Sequence, residues 1–163
     1  MENEEMNEKQ PLSKKGKIIL FIQNVLFVVA VIMCMLVLRT VFKPVVVQGI
    51  SMEPTYHENQ YIIGHWFYDL NRFDCVTVKV NDLQLIKRVI GLPGETIEYK
   101  DNVLYVNGTV VDDPYGNGIT KDFSIILGED EYFCMGDNRE HSKDSRSYGA
   151  FKYDQIIAKM NWK

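Results

Sequence analysis

The chain has 163 residues, 46% of them hydrophobic, with 18 Lys and Arg against 22 Asp and Glu, a length that suits one domain of ordinary size. The charge is uneven, because beyond residue 43 lie 12 Lys and Arg against 18 Asp and Glu, a net charge near −6. An acidic main portion of this kind argues against nucleic acid as a partner, since binding a phosphate backbone demands a basic face.

Residues 1–17, MENEEMNEKQPLSKKGK, are polar and nearly free of apolar side chains. Such a composition cannot bury enough surface to offset the entropy of ordering, so a disordered tail is expected. Residues 18–38, IILFIQNVLFVVAVIMCMLVL, carry no charge, and only Gln23 and Asn24 are strongly polar. At ~1.5 Å per residue, about 20 apolar residues cross the ~30 Å hydrocarbon core of a bilayer. A cleaved export signal would have a shorter apolar core, of about 7 to 15 residues, and a small-x-small cleavage site. A buried core helix would show a polar face, and none is present here. A transmembrane anchor is therefore expected. Lys9, Lys14, Lys15 and Lys17 precede it, and Arg39 and Lys43 follow it. That bias puts the N-terminal tail in the cytoplasm and residues 39–163 outside.

From there on the pattern is β. Runs of Val, Ile, Tyr and Phe bounded by Gly, Pro, Asn and Asp predict strands at 45–48, 61–66, 74–80, 83–90, 96–100, 103–106, 109–111, 131–135 and 156–160. The first runs into GISMEPT, residues 49–55. A strand that ends on glycine, shows a serine and is restricted by proline suits a plain loop, or a nucleophile held at a strand end.

In the strand at 83–90, period-2 alternation puts Leu83, Leu85, Lys87 and Val89 on one face and Gln84, Ile86, Arg88 and Ile90 on the other. An edge strand whose lysine reaches water is the commoner arrangement. The alternative is a desolvated amine. Burial disfavours the ammonium and lowers its pKa, and a neutral amine can take a proton from a serine hydroxyl.

VLYVNGTVV predicts a hairpin, because Asn107-Gly108 suits the positive φ angles of a type I′ turn. The turn also accounts for the NGT triplet without a glycan. DDPYGNGITKDFS reads as a turn-rich loop or an outer hairpin. After the strand at 131–135 comes GDNREHSKDSR, residues 136–146, dense in carboxylates, guanidinium groups and hydroxyls. Close packing of these types braces a site by charge-assisted hydrogen bonds. The fold class expected is mainly β, a series of small antiparallel sheets or a partly open barrel, behind one N-terminal helix.

Cys75 and Cys134 lie in strand-like runs and Cys34 in the apolar span, with no metal-type spacing. Buried small hydrophobes are the plain reading of the first two, and a disulfide between them the alternative outside the cell. His57, His65 and His141 leave room for a serine–histidine design, but triads are built from spatial rather than sequential neighbours.

SMEPT at 51–55, KRVIGLPGE at 87–95 and GDNREHSKDSR at 136–146 resemble, in order, the characteristic boxes of bacterial type I signal peptidases. The resemblance covers the chain beyond its tail. It implies a β-rich, membrane-anchored serine endopeptidase that removes signal peptides from exported preproteins after Ala-x-Ala-like sites, with no metal or cofactor. Residue by residue, it implies Ser51 as nucleophile and Lys87 as general base. Ser142 would orient the amine, and Asp144, Arg146 and Asp137 would support the last box. Met52 and Ile86 would line the small side-chain pockets, and the Val45, Val47 and Gln48 stretch would pair with the extended substrate. Gly49 stands where some members carry an oxyanion-binding serine, Asn59-Gln60 where a Gly-Asp turn is common, and Phe73 where glycine is frequent. Soluble self-cleaving repressors share such a dyad but lack the apolar span. A signal-peptidase-like factor for assembling surface polymers is the alternative from outside enzymology.

Overall fold

The computed structural model describes residues 13–66 and 69–160; most of the expected tail lies outside them. The described chain forms two units, which are taken separately. The first holds helix α1, Lys14–Val41. Its 28 residues reach about 42 Å at the standard rise. The helix starts before the apolar run because Ser13 supports its first turn. The backbone N–H of Gly16 donates to Ser13 Oγ at 3.3 Å, and that of Lys17 to Ser13 O at 3.0 Å. None of its residues is buried, and it is long and apolar enough to cross a membrane.

The second unit is built of antiparallel strands. They are β1 Phe42–Val46, β2 Tyr61–His65, β3 Cys75–Val80, β4 Leu83–Gly91, β5 Thr96–Lys100, β6 Val103–Val106, β7 Thr109–Val111, β8 Phe123–Ile126, β9 Glu131–Met135, β10 Phe151–Lys152 and β11 Ile156–Lys159. One sheet has the order β1-β2-β11-β3-β4-β9-β10, the other β7-β6-β5-β8. The expected mainly β class, with small antiparallel sheets, is the one observed.

Local chemistry explains most of these elements. Asn107 and Gly108 both have positive φ, 51° and 75°, and close the β6–β7 hairpin as the Asn-Gly pair requires. Asn59 turns the chain at φ 63°, a conformation asparagine tolerates. Phe73 sits at φ 70°, where a bulky side chain is strained and glycine would not be. Its ring packs 5.6 Å from that of Tyr115.

The structure departs from the sequence expectations in several places, three of which bear on the site. β1 begins three residues early and stops at Val46, although the Val47 N–H still donates to Gln60 O at 2.9 Å. β8 begins at the end of the stretch expected to be a turn-rich loop or an outer hairpin, and runs on where no strand was expected. Its Phe123 and Ile125 are half-buried against the core, Ser124 and Ile126 face out, and it pairs with β5. β4 is no edge strand. It lies between β3 and β9, and from Ile86 onward both of its faces are buried. Lys87 is therefore only 2% exposed, and its amine opens only into the cleft it shares with Ser51. Cys75 and Cys134, by contrast, follow their plain reading: both are buried and each keeps a thiol. They sit on β3 and β9, on opposite sides of β4. Two strand spacings make roughly 9.5 Å, beyond the ~7 Å that a disulfide spans between α-carbons.

Three buried clusters hold the unit together. One joins the smaller sheet to the larger through Ile90, Ile97, Tyr99, Leu104, Phe133 and Met135. A second, with Val76, Val78, Val89, Cys134, Phe151 and Ile156, fills the other face of β3, β4 and β9. The third, with Val47, Met52, Ile62, Cys75, Ile86, Ala158 and Met160, lies under the serine loop.

Candidate active site

Ser51 begins the turn that follows β1, and Lys87 lies in the middle of β4. β4 is a central strand, so its register is fixed on both sides: Lys87 pairs with Val76, and the neighbouring Arg88 with Cys75 and Met135. The turn is anchored from beneath, because Met52 is buried among Val47, Ile62 and Ile86. Its carbonyls are held from above. The Asn138 N–H donates to Ser51 O at 3.1 Å, and Asn138 Nδ2 donates to Ile50 O at 3.2 Å. The two side chains meet with Lys87 Nζ 2.7 Å from Ser51 Oγ.

Lys87 Nζ also donates to Ile86 O at 2.9 Å. Burial pushes the pKa of the amine down from 10.5 to about 8, while the nearby carboxylates of Asp144 and Asp137 hold it up. Desolvation wins because neither carboxylate bonds the amine directly. An amine that is half neutral near pH 8 can accept a proton from a hydroxyl at this distance.

The 136–146 segment forms the far wall. Gly136 is the point of closest approach: a β-carbon there would overlap Ser142 Oγ and lie 2.5 Å from both Ser142 Cβ and Ser51 O. Ser142 Oγ is buried without a hydrogen-bond partner among the described residues. The amine's bonds go to Ser51 and Ile86 instead. Asp144 is fully buried and caps the short helix α2, Ser145–Tyr148. It accepts from Gly136 N at 2.9 Å, from Arg146 Nε at 2.9 Å and from Arg146 Nη2 at 2.8 Å. Burial alone would raise its pKa. The hydrogen bonds from Arg146 and Gly136 outweigh that and hold it below the usual carboxylate value.

Asp137 turns the other way. Its carboxylate accepts from Arg88 Nε at 2.8 Å and Nη2 at 2.6 Å, and from the Thr55 hydroxyl. The Arg88 guanidinium is capped by the Tyr115 ring at 3.6 Å. Beside it, Arg139 donates to Gly136 O at 3.0 Å, to Tyr99 Oη and to Asp113 Oδ2. Alternation in β4 did place Arg88 opposite Lys87. Asp137 was expected as a support, but its pairing with Arg88 and the parts played by Thr55, Tyr115, Tyr99 and Asp113 had no signal in the sequence, because the partners come from distant elements.

A cleft of about 530 Å³ leads to Ser51 and Lys87 between residues 44–48 and 82–87. Val45, Val47, Gln48, Met52 and Ile86 all line it. Met52 and Val47 form its buried floor, and Gln48 is exposed at the rim. Gly49 has φ 79° with nothing within 4 Å of where its β-carbon would stand. The histidines take no part in this arrangement. His141 is exposed, with Nδ1 3.1 Å from Asn138 Oδ1, and His57 lies 3.7 Å from Glu53. Among the described residues, no group of three or more His, Cys, Asp or Glu is clustered as metal ligands would be.

Comparison with known proteins points one way. Residues 20–163 match the family model described as signal peptidase, peptidase S26. Signal peptidase I V of Bacillus subtilis is 41% identical over 151 residues, covering 80% of this chain and 90% of that one. Signal peptidase I of Bacillus amyloliquefaciens is 35% identical over 167 residues, covering 92% and 89%. The crystal structure of a signal peptidase I from Enterococcus faecalis superposes with a TM-score of 0.54 at 32% identity, covering 58% of this chain and 98% of that one.

Proposed function

The chain belongs to the S26 signal peptidase family, and from that premise we propose that it is a membrane-anchored serine endopeptidase that cleaves signal peptides from exported preproteins, with Ser51 as nucleophile and Lys87 as general base. The observation that carries the assignment of roles is the 2.7 Å contact between Ser51 Oγ and an amine whose pKa burial lowers to about 8.

The substrate lies extended in the cleft beside Val45, Val47 and Gln48, in the manner of an added strand. Small side chains before the scissile bond face Met52 and Ile86, where the floor is already filled and only shallow space is left. Neutral Lys87 takes the Ser51 proton as Oγ attacks the carbonyl carbon. The resulting ammonium then protonates the departing amine, which leaves an acyl-enzyme on Ser51. Lys87, neutral again, takes a proton from water as that water attacks the ester, and returns it to Ser51 Oγ as the C–O bond breaks and the carboxyl product leaves. Each preorganised donor to the oxyanion is worth about 3 kcal/mol. The backbone N–H of Ser51 is one such donor, and the glycine at 49 supplies no hydroxyl as a second. Ser142, Asp144 and Arg146 act as positioning residues for the amine, and Asp137 for the serine loop through Arg88 and Thr55. The anchor is α1, with the N-terminus in the cytoplasm and the β unit outside, in keeping with the basic residues ahead of the helix.

The test uses the full chain in detergent micelles and a preprotein with an Ala-x-Ala site. Wild type is expected to cut once after that site, and Ser51→Ala and Lys87→Ala to lose at least a thousandfold in rate. Cleavage that survives either substitution would overturn the dyad.

A further inference from the structure

A second, larger cleft of about 820 Å³ opens on the other side of the 136–146 segment. One wall is β8 with the residues before it, and the other is formed by Glu140, Ser142, Ser145, Arg146 and Ser147. Its floor is apolar, from Phe123, Ile125 and Phe133, and Ile119 stands exposed at its rim. We propose that this cleft receives the residues of the substrate that follow the scissile bond, the first segment of the mature protein, as an extended strand beside β8. This rests on the peptidase reading above.

Three observations support it. The first is continuity. Ser142 lines this cleft, and Ser51 lines the cleft beside β1 and β4. Both residues touch the position of the Gly136 β-carbon, with Ser142 Cβ and Ser51 O each 2.5 Å from it. Ser142 and Ser51 therefore approach within about 5 Å, so the two clefts lie no further apart at this point than two residues of extended chain, ~3.3 Å each, can span. The second is the free edge. Among the described residues β8 ends its sheet and pairs only with β5, and a sheet edge of this kind offers a row of backbone donors and acceptors on its outer side. An extended peptide satisfies them, whatever its side chains, and that tolerance suits a mature segment of variable sequence. The third is chemistry. An apolar floor with Lys121, Asp122 and Glu140 along the walls offers an alternating chain a place for its apolar face and both signs of charge for the other.

The probe is a signal-sequence peptide that carries benzoylphenylalanine at the fourth residue after the cleavage site, about 13 Å along an extended chain. It is irradiated with the full-length Ser51→Ala protein in micelles, and adducts are mapped by mass spectrometry. Adducts are expected within 119–125 or 140–147, and Ile119→Asp with Lys121→Glu should reduce them at least fivefold. In the active protein, the same double substitution should lower kcat/KM for a peptide with eight residues after the site relative to one with two. Adducts confined to 44–48 or 82–87, or adducts that the double substitution leaves undiminished, would overturn the proposal. If adducts form as expected while the wild type cuts neither peptide, the peptidase reading fails and the binding cleft stands.

Discussion

Replacing Lys87 by methionine should destroy activity and stabilise the protein. The amine is 2% exposed, and burial lowers its pKa from 10.5 to about 8. The sign follows from proton linkage. Between pH 8 and 10.5 the unfolded chain holds a proton on this lysine that the folded chain has lost, so stability rises with pH across that window. Below pH 8 both states are protonated, and the folded state carries the full penalty of a buried ammonium. A shift of about 2.5 pH units corresponds to roughly 3 kcal/mol. Methionine fills similar volume without charge and removes that penalty. It also leaves Ile86 O without the donor it has at 2.9 Å, at a cost of about 1 kcal/mol. The net gain at pH 6 is therefore about 2 kcal/mol. For a unit of this size that amounts to some 6–12 °C in Tm. Above pH 10.5 the gain should vanish and the variant should become slightly the less stable of the two. Thermal unfolding of full-length wild type and Lys87→Met in micelles, from pH 6 to 10, measures the difference, and titrations common to both proteins cancel. A difference in Tm that does not change with pH would refute the argument, because it would mean that Lys87 titrates alike in the folded and unfolded states.

The same pKa sets the rate profile: kcat/KM should rise tenfold per pH unit on the acid side and bend near pH 8, measured with a fluorogenic signal-sequence peptide. Gly136→Ala should lower kcat by at least a hundredfold with little change in KM. Its new methyl group displaces Ser142 Oγ and Ser51 O, and a shift of about 1 Å at reacting groups costs that much. Asp137→Ala should destabilise by about 3–5 kcal/mol in urea unfolding, because it strands the Arg88 guanidinium, itself 3% exposed, without its carboxylate.

Much of the fold was legible because its signals are local. Twenty-one uncharged residues at 18–38 announce a membrane-length helix by composition alone. Asn107-Gly108 announces its hairpin because few other pairs accept two positive φ angles. β8 was hidden, because Phe123 and Ile125 alternate for only four residues after a Gly-rich stretch, and only pairing with β5 makes them a strand. The stretch at 45–48 was placed late for a similar reason, since the partner β2 decides where pairing begins.

At the site, the sequence alone determined which residue types stand at Ser51, Lys87 and 136–146, and in what order. Alternation also put Lys87 and Arg88 on opposite faces of one strand. It could not decide whether Lys87 would be charged and wet or neutral and dry, because the burial of a side chain depends on what packs against its strand. β3 and β9 settle that by flanking β4 on both sides. The same holds for the disulfide that does not form and for the partners of Arg88 and Arg139. Local periodicity is set by backbone geometry and can be read along the chain. Desolvation, and the pKa that follows from it, depends on atoms brought in from elsewhere, and only the tertiary structure brings them.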